Sequence, residues 1–151
     1  MMKFRPTEPA DIESTYAVRA RTRQNPMSKA QLSSAGFDSD AVFRKLATQE
    51  YVGWVCEDGD QIVGFATGDT KTGEVLVVAV LPEHEGKKIG RTLLSHLLES
   101  MIRRGCTTLW LEASPDPNVR AHGFYRANGW LPSGRKASNG DEILEFIGNG
   151  S

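Results

Sequence analysis

The segment that most constrains this chain is the run Glu74-Val75-Leu76-Val77-Val78-Ala79-Val80-Leu81, closed by Pro82. From Val75 on, it is apolar at consecutive positions and rich in β-branched side chains, as a strand covered on both faces requires. Proline cannot continue a ladder, so the strand ends there. Beyond a glycine-containing segment, Ile89, Leu93, Leu94, Leu97, Leu98, Met101 and Ile102 recur at helical spacing and form one apolar face. Gly105 stops that helix, and Thr107-Thr108-Leu109-Trp110-Leu111-Glu112 returns as a strand. Two strands joined by a crossover helix run parallel. The chain is therefore predicted to be an α/β protein with a mixed sheet, with the run 74–81 at the centre of that sheet.

The flanks fit one domain spanning residues 1–151, without a composition break or internal repeat. Lys3 to Arg5 reads as an edge strand ended by Pro6. Thr7 and Asp11 offer caps for a helix carrying Ile12, Tyr16 and Val18, which runs to about Arg23 and is broken by Asn25-Pro26. Ser28 or Ser39 opens a second helical region with Val42, Phe43 and Leu46 at helical spacing. Tyr51 to Cys56 and Gln61 to Ala66 flank Glu57-Asp58-Gly59-Asp60 as a hairpin. Asn118 to Ala127 reads as a helix stopped by Asn128-Gly129. Strands are expected around Trp130 and from Ile143 to Ile147, before a frayed 148–151.

Eighteen Lys and Arg against 19 Asp and Glu leave a formal charge of -1, so no global basic field points to nucleic acid or an anionic membrane. Cys56 and Cys106 are not in a Cys-x-x-Cys spacing and read as small buried hydrophobes, with no metal site implied. The longest apolar run, Val75 to Leu81, is far short of the roughly 20 residues that span a membrane, and a cytoplasmic location is expected.

Chemistry is expected where the strand 74–81 gives way to the helix. A loop entering a helix points free backbone N–H groups at one spot, where the positive end of the helix dipole also lies, and such a spot holds phosphate. Here that loop is Pro82-Glu83-His84-Glu85-Gly86-Lys87-Lys88-Ile89-Gly90-Arg91. Its spacing is neither a Walker loop nor a dinucleotide fingerprint, and in isolation a glycine turn with solvated lysines is the favoured reading.

The loop does not stand alone. Together with the strand before it, the helix after it and the segment Asn118-Val119-Arg120-Ala121-His122-Gly123-Phe124-Tyr125-Arg126-Ala127-Asn128-Gly129-Trp130, it resembles the GCN5-related N-acetyltransferases, best from about Trp54 to Trp130. The resemblance implies that family's fold, a central mixed sheet of six to seven strands flanked by about four helices. It also implies acetyl coenzyme A as cosubstrate and no metal. Against the family's loop pattern Gln/Arg-x-x-Gly-x-Gly/Ala, Glu85 stands at the first position, Lys88 at the first glycine and Gly90 at the last.

What the resemblance implies can be carried over residue by residue. Val78, Ala79 and Val80 would pair backbone groups with the pantetheine, and Gly86, Lys87, Lys88, Ile89, Gly90 and Arg91 would hold the pyrophosphate. Asn118 matches an asparagine that contacts the cofactor, and Tyr125, seven residues on, matches the tyrosine that protonates the departing thiolate. Read without the family, Tyr125 beside Phe124 and near Trp130 is a core aromatic. Glu112, at the end of Leu109-Trp110-Leu111-Glu112, matches the general base of acetyltransferases of ribosomal-protein N-termini; its plain alternative is an exposed strand-end carboxylate. Lone His84 and His122 are taken as structural or solvated, and Glu74 as a solvated turn residue.

The expected reaction moves acetyl directly to a primary amine of a small molecule, peptide or protein, without a covalent enzyme intermediate, and activity rises toward mildly alkaline pH as the amine loses its proton. The acceptor would be gripped by the first helices, the turn 67–73 and the final strands. Asp11, Glu13, Asp38 and Asp40 could form an acidic mouth, although solvated helix ends are the favoured reading. The rival is a catalytically silent acyl-coenzyme A sensor or interaction module of the same fold; a phosphotransferase lacks the Gly-Lys-Ser/Thr arrangement. A homodimer is compatible with the family resemblance.

Overall fold

The fold was analysed in a computed structural model that describes residues 2–22 and 27–146, with Arg120 described by its backbone alone. The helix end at Arg23, the break at Asn25-Pro26, Ile147 and the frayed terminus lie outside the described residues. The expected hairpin forms as β2 (Tyr51–Asp58) and β3 (Gln61–Asp69), turning at Gly59 with a positive φ of 64°. Strand β1 (Met2–Pro6) pairs antiparallel with β2 at the sheet edge, where Pro6 needs no donor. Strand β4 (Val75–Val80) pairs antiparallel with β3, completing a four-stranded sheet in the order β1-β2-β3-β4.

The run 74–81 is therefore the last strand of this sheet and stands at its seam with a second one, fourth of the seven described strands, the central place expected of it. Its two faces meet different surroundings. Helix α4 (Ile89–Arg103) covers one face with Ile89, Leu93, Leu94, Leu97, Leu98 and Met101. The other face looks toward α1 (Ile12–Arg21) and an open cleft. Ile102, expected on the buried face of α4, is 53% exposed, because at 3.6 residues per turn it rotates off the edge of the stripe.

The second sheet has the order β5-β7-β6, with β5 (Trp110–Ala113) and β6 (Trp130–Lys136) both antiparallel to β7 (Glu142–Phe146). Thr107 and Thr108 stay outside β5, although they were expected to open it. The two sheets meet at a parallel bridge between Glu74 and Trp110, reinforced by the Trp110 amide donating to the Gly73 carbonyl at 3.1 Å. This is the one bridge joining them among the described residues. Gly73 has a φ of 82°, and a Cβ there would lie 2.1 Å from the Thr108 carbonyl oxygen, so only glycine lets the strands approach this closely. Past this point β4 and β5 share no ladder, and they part toward their carboxyl ends.

One core is common to both sheets. Val55, Val63, Leu93, Leu97 and Met101 cluster with Leu111, Trp130 and Leu144. A smaller cluster of Ile12, Tyr16 and Leu32 lies under α1, α2 (Lys29–Ser34) and α3 (Ser39–Ala47). Ser28 caps α2, its hydroxyl accepting from the Gln31 amide at 3.1 Å while the Gln31 side chain accepts from the Ser28 amide. Asp38, rather than Ser39, caps α3 by accepting from the Ala41 amide at 2.8 Å.

Candidate active site

The parting of β4 and β5 creates a cleft of about 900 Å³, within the range of pockets that bury small molecules. The β4 wall carries a bulge. Thr67 faces Val77 while the next residue, Gly68, faces Val75, so Leu76 is extra on β4. Leu76 and Val77 consequently both line a hollow beneath α1, and Val78, Ala79 and Val80 continue along the cleft.

At the far end stands the start of α4. The first α4 amide with a backbone acceptor is Thr92, donating to the Lys88 carbonyl at 3.1 Å, which leaves the amides of Ile89, Gly90 and Arg91 free of one among the described residues. Gly86, Lys88, Ile89, Gly90 and Arg91 line the cleft; Lys87 is exposed and does not. Lys88 takes the left-handed conformation, φ 63° and ψ 19°, that glycine adopts more easily. A Cβ at Gly90 would stand in ordinary contact with the Phe124 ring at 3.5 Å and Val80 at 3.7 Å, whereas Gly86, with a φ of 82°, has nothing within 4 Å of its missing Cβ. Free amides beside an open glycine at a helix start fit the pyrophosphate of coenzyme A. His84, near the start of the loop, lines the cleft and pairs through Nε2 with Asp58 at 3.3 Å, a carboxylate partner that sequence spacing does not reveal.

Helix α5 (Arg120–Ala127) forms the opposite wall. It begins two residues later than expected because the Asp116 carboxylate accepts from the Asn118 amide at 2.9 Å and holds residues 116–118 in a turn. Asn118 is thus exposed and outside the cleft lining, where Asn128 stands instead, donating to the Phe124 carbonyl at 2.7 Å. Arg126 ties α5 to β7 through Glu142 at 2.8 and 3.0 Å.

Tyr125 unites both readings of it. Its ring packs edge-on against Phe124 at 5.1 Å and Trp130 at 6.0 Å, and it lines the cleft. Burial pushes the phenol up to about 12, with the Arg19 charge pulling the other way.

Glu112 lines the cleft from the exposed face of β5. In the parallel bridge Glu74 lies opposite Trp110, and Glu112 follows Trp110 by two positions, so all three share one face of the seam. Glu74 is accordingly no solvated turn residue. It is half-buried, and burial, then the charges of Glu112 and Asp69, push its carboxyl up to about 7. Only the folded register brings these two glutamates together.

Asp11, Glu13, Asp38 and Asp40 stand at helix starts, the favoured reading of them, and none lines the cleft. Asp11 is buried under the Arg5 guanidinium at 2.7 and 2.8 Å, Glu13 pairs with Lys29 at 2.8 Å, and Asp38 is the α3 cap. His122 lies on α5 and is absent from the cleft lining, so it stays outside the site, as expected. No helix among the described residues is long and apolar enough to cross a membrane.

Known proteins place this arrangement. The profile of the Acetyltransferase (GNAT) family matches residues 17–130. The chain is 25% identical over 125 residues to the ribosomal protein bS18-alanine N-acetyltransferase of Escherichia coli strain K12, covering 82% of this chain and 76% of that one. It is 28% identical over 134 residues to the mycothiol acetyltransferase of Stackebrandtia nassauensis, covering 79% of this chain and 44% of that one. Among solved structures, the PaiA N-acetyltransferase of Thermoplasma acidophilum in complex with coenzyme A superposes with a TM-score of 0.78 at 20% identity, over 97% of this chain and 98% of that one.

Proposed function

Because the chain belongs to the GNAT acetyltransferase family and is an acetyl-coenzyme A-dependent N-acetyltransferase, we propose that the acetyl group passes directly to a primary amine held in the cleft between β4 and β5. The observation that carries this reading is the convergence of the free amides of α4, Tyr125 and Glu112 on one cleft. Acetyl coenzyme A, when bound, supplies the activated acyl carbon and a thiolate leaving group. Gly86 and Lys88 to Arg91 would hold the pyrophosphate, and the backbone of Val78 to Val80 would orient the pantetheine along β4.

Tyr125 keeps its hydroxyl proton at neutral pH, so its oxygen can donate that proton to the departing sulfur. Glu112 takes the proton from the attacking nitrogen, with Glu74 beside it. The Glu74 carboxyl, held at about 7, is far better matched to an ammonium than an ordinary one. Loss of the Glu74 proton is thus expected to make activity rise through neutral pH.

Thermal melting with acetyl coenzyme A, free coenzyme A and magnesium-ATP tests the cofactor, since a ligand bound to the folded state alone raises Tm. An upward shift with the coenzyme A ligands and none with ATP supports the reading. No shift at millimolar acetyl coenzyme A would mean that Glu85 and Lys88 have disabled the loop. A shift without transfer to any amine would make the chain a silent sensor of the same fold.

A further inference from the structure

Two hollows meet at Arg19. This α1 residue lines the large cleft and also a smaller hollow of about 100 Å³ beneath α1, whose walls include Leu32, Phe37, Val42 and Phe65. Leu76 and Val77, displaced by the β4 bulge, are the other two shared walls. The hollow is therefore an apolar extension of the cleft, with a guanidinium at the junction.

That guanidinium has no carboxylate partner among the described residues, and it is half-buried where Arg44, Arg91 and Arg104, which also lack one, are exposed; Arg5, Arg21, Arg103, Arg126 and Arg135 each have one. Among the described residues its one hydrogen bond goes to the Met27 sulfur at 3.4 Å, a weak acceptor. Desolvation already lowers its pKa, relieved in part by the Tyr125 phenol. A partly desolvated cation is unfavourable unless something pairs with it. What pairs with it must be reachable from the cleft, close to where the acceptor amine meets Tyr125 and Glu112.

We infer that Arg19 binds a carboxylate of the acceptor, and that the acceptor is a free α-amino acid with an apolar side chain. In this pose the amine faces Glu112, the carboxylate meets Arg19, and the side chain fills the hollow. These are the three non-hydrogen substituents of one α-carbon, whereas the N-terminus of a polypeptide has an amide where the carboxylate would be. The inference rests on the acetyltransferase reading, and its test separates the two.

The coenzyme A complex is titrated calorimetrically with L-leucine, L-methionine, leucinamide and an alanine-initiated peptide amide, and acetyl transfer to each is followed by thiol release. The amino acids are expected to bind at least about tenfold tighter than leucinamide, as a charge-assisted fork between guanidinium and carboxylate would give. Arg19→Gln is expected to close the gap between leucine and leucinamide, and Arg19→Lys to reopen part of it, while the Tm shift with acetyl coenzyme A stays the same in both. Equal or better binding of leucinamide or the peptide amide overturns the inference, as does failure of every amino acid to bind. A Tm shift lost in Arg19→Gln would assign the guanidinium to the cofactor instead. Absence of any shift in the unaltered protein would remove the acetyltransferase reading itself.

Discussion

Tyr125 and Glu74 are tuned in the same direction by burial, with opposite consequences. For Tyr125 the raised pKa, about 12, preserves a donor. Replacing it by Phe removes the proton and keeps the ring, so kcat is expected to fall about 10²-fold or more with the KM for acetyl coenzyme A little changed, in steady-state assays at neutral pH. For Glu74 the raised pKa, about 7 against an ordinary 4.5, means that the folded state holds the proton more tightly than the unfolded chain. Its contribution to stability is fully present below the unfolded value and is lost as pH rises from there through about 7. Glu74→Gln is thus expected to stabilise the protein above pH 7 by about 1 to 2 kcal/mol, after allowance for solvent screening, with no gain at pH 4. The same change should flatten the rise of activity through neutral pH; an unaltered profile would take Glu74 out of proton uptake. Tyr125 is legible in the sequence through its spacing from Asn118, and Lys88 through the glycine it replaces. Glu74 and Arg19 are not, since each owes its significance to residues that only the folded chain brings near.

At the scale of elements, Gly73 decides how closely β4 and β5 approach. Alanine there would place its Cβ against the Thr108 carbonyl oxygen, a backbone atom that cannot swing aside, and would also strain a positive φ. Gly73→Ala is expected to cost about 2 to 4 kcal/mol in urea unfolding, and acetyl coenzyme A affinity should fall with it because the cleft widens from this point. Strand β4 and helix α4 were readable because their apolar patterns extend over whole elements. The parallel run of β4 and β5 was readable too, but their pairing shrinks to one bridge. The bulge at Leu76 leaves no mark in a run of uniformly apolar residues. Helix α5 starts later than its apolar pattern predicts because Asp116 diverts the Asn118 amide, a competition between side chain and backbone that the helical pattern does not register.

For the molecule as a whole, the seam at Glu74 and Trp110 divides two sheets that are nonetheless consecutive in sequence. Everything up to the turn after α4 belongs with the first sheet, and residues 110–146 carry the second. Neither part closes a core alone, since Leu111, Trp130 and Leu144 cluster with Val55, Leu93 and Leu97 across the boundary. The cleft is likewise shared, with β4 and the α4 start on one side and Glu112 and Tyr125 on the other. Gly105, exposed between them with a φ of 97° and no neighbour near its missing Cβ, is a natural place to sever the chain. Fragments ending and beginning there are expected to gain native circular dichroism only on mixing. They should also associate more tightly when acetyl coenzyme A spans them, since a ligand held by both halves favours their union. Carrying a fluorophore on each half, the severed protein would then report the cofactor's concentration by its own reassembly.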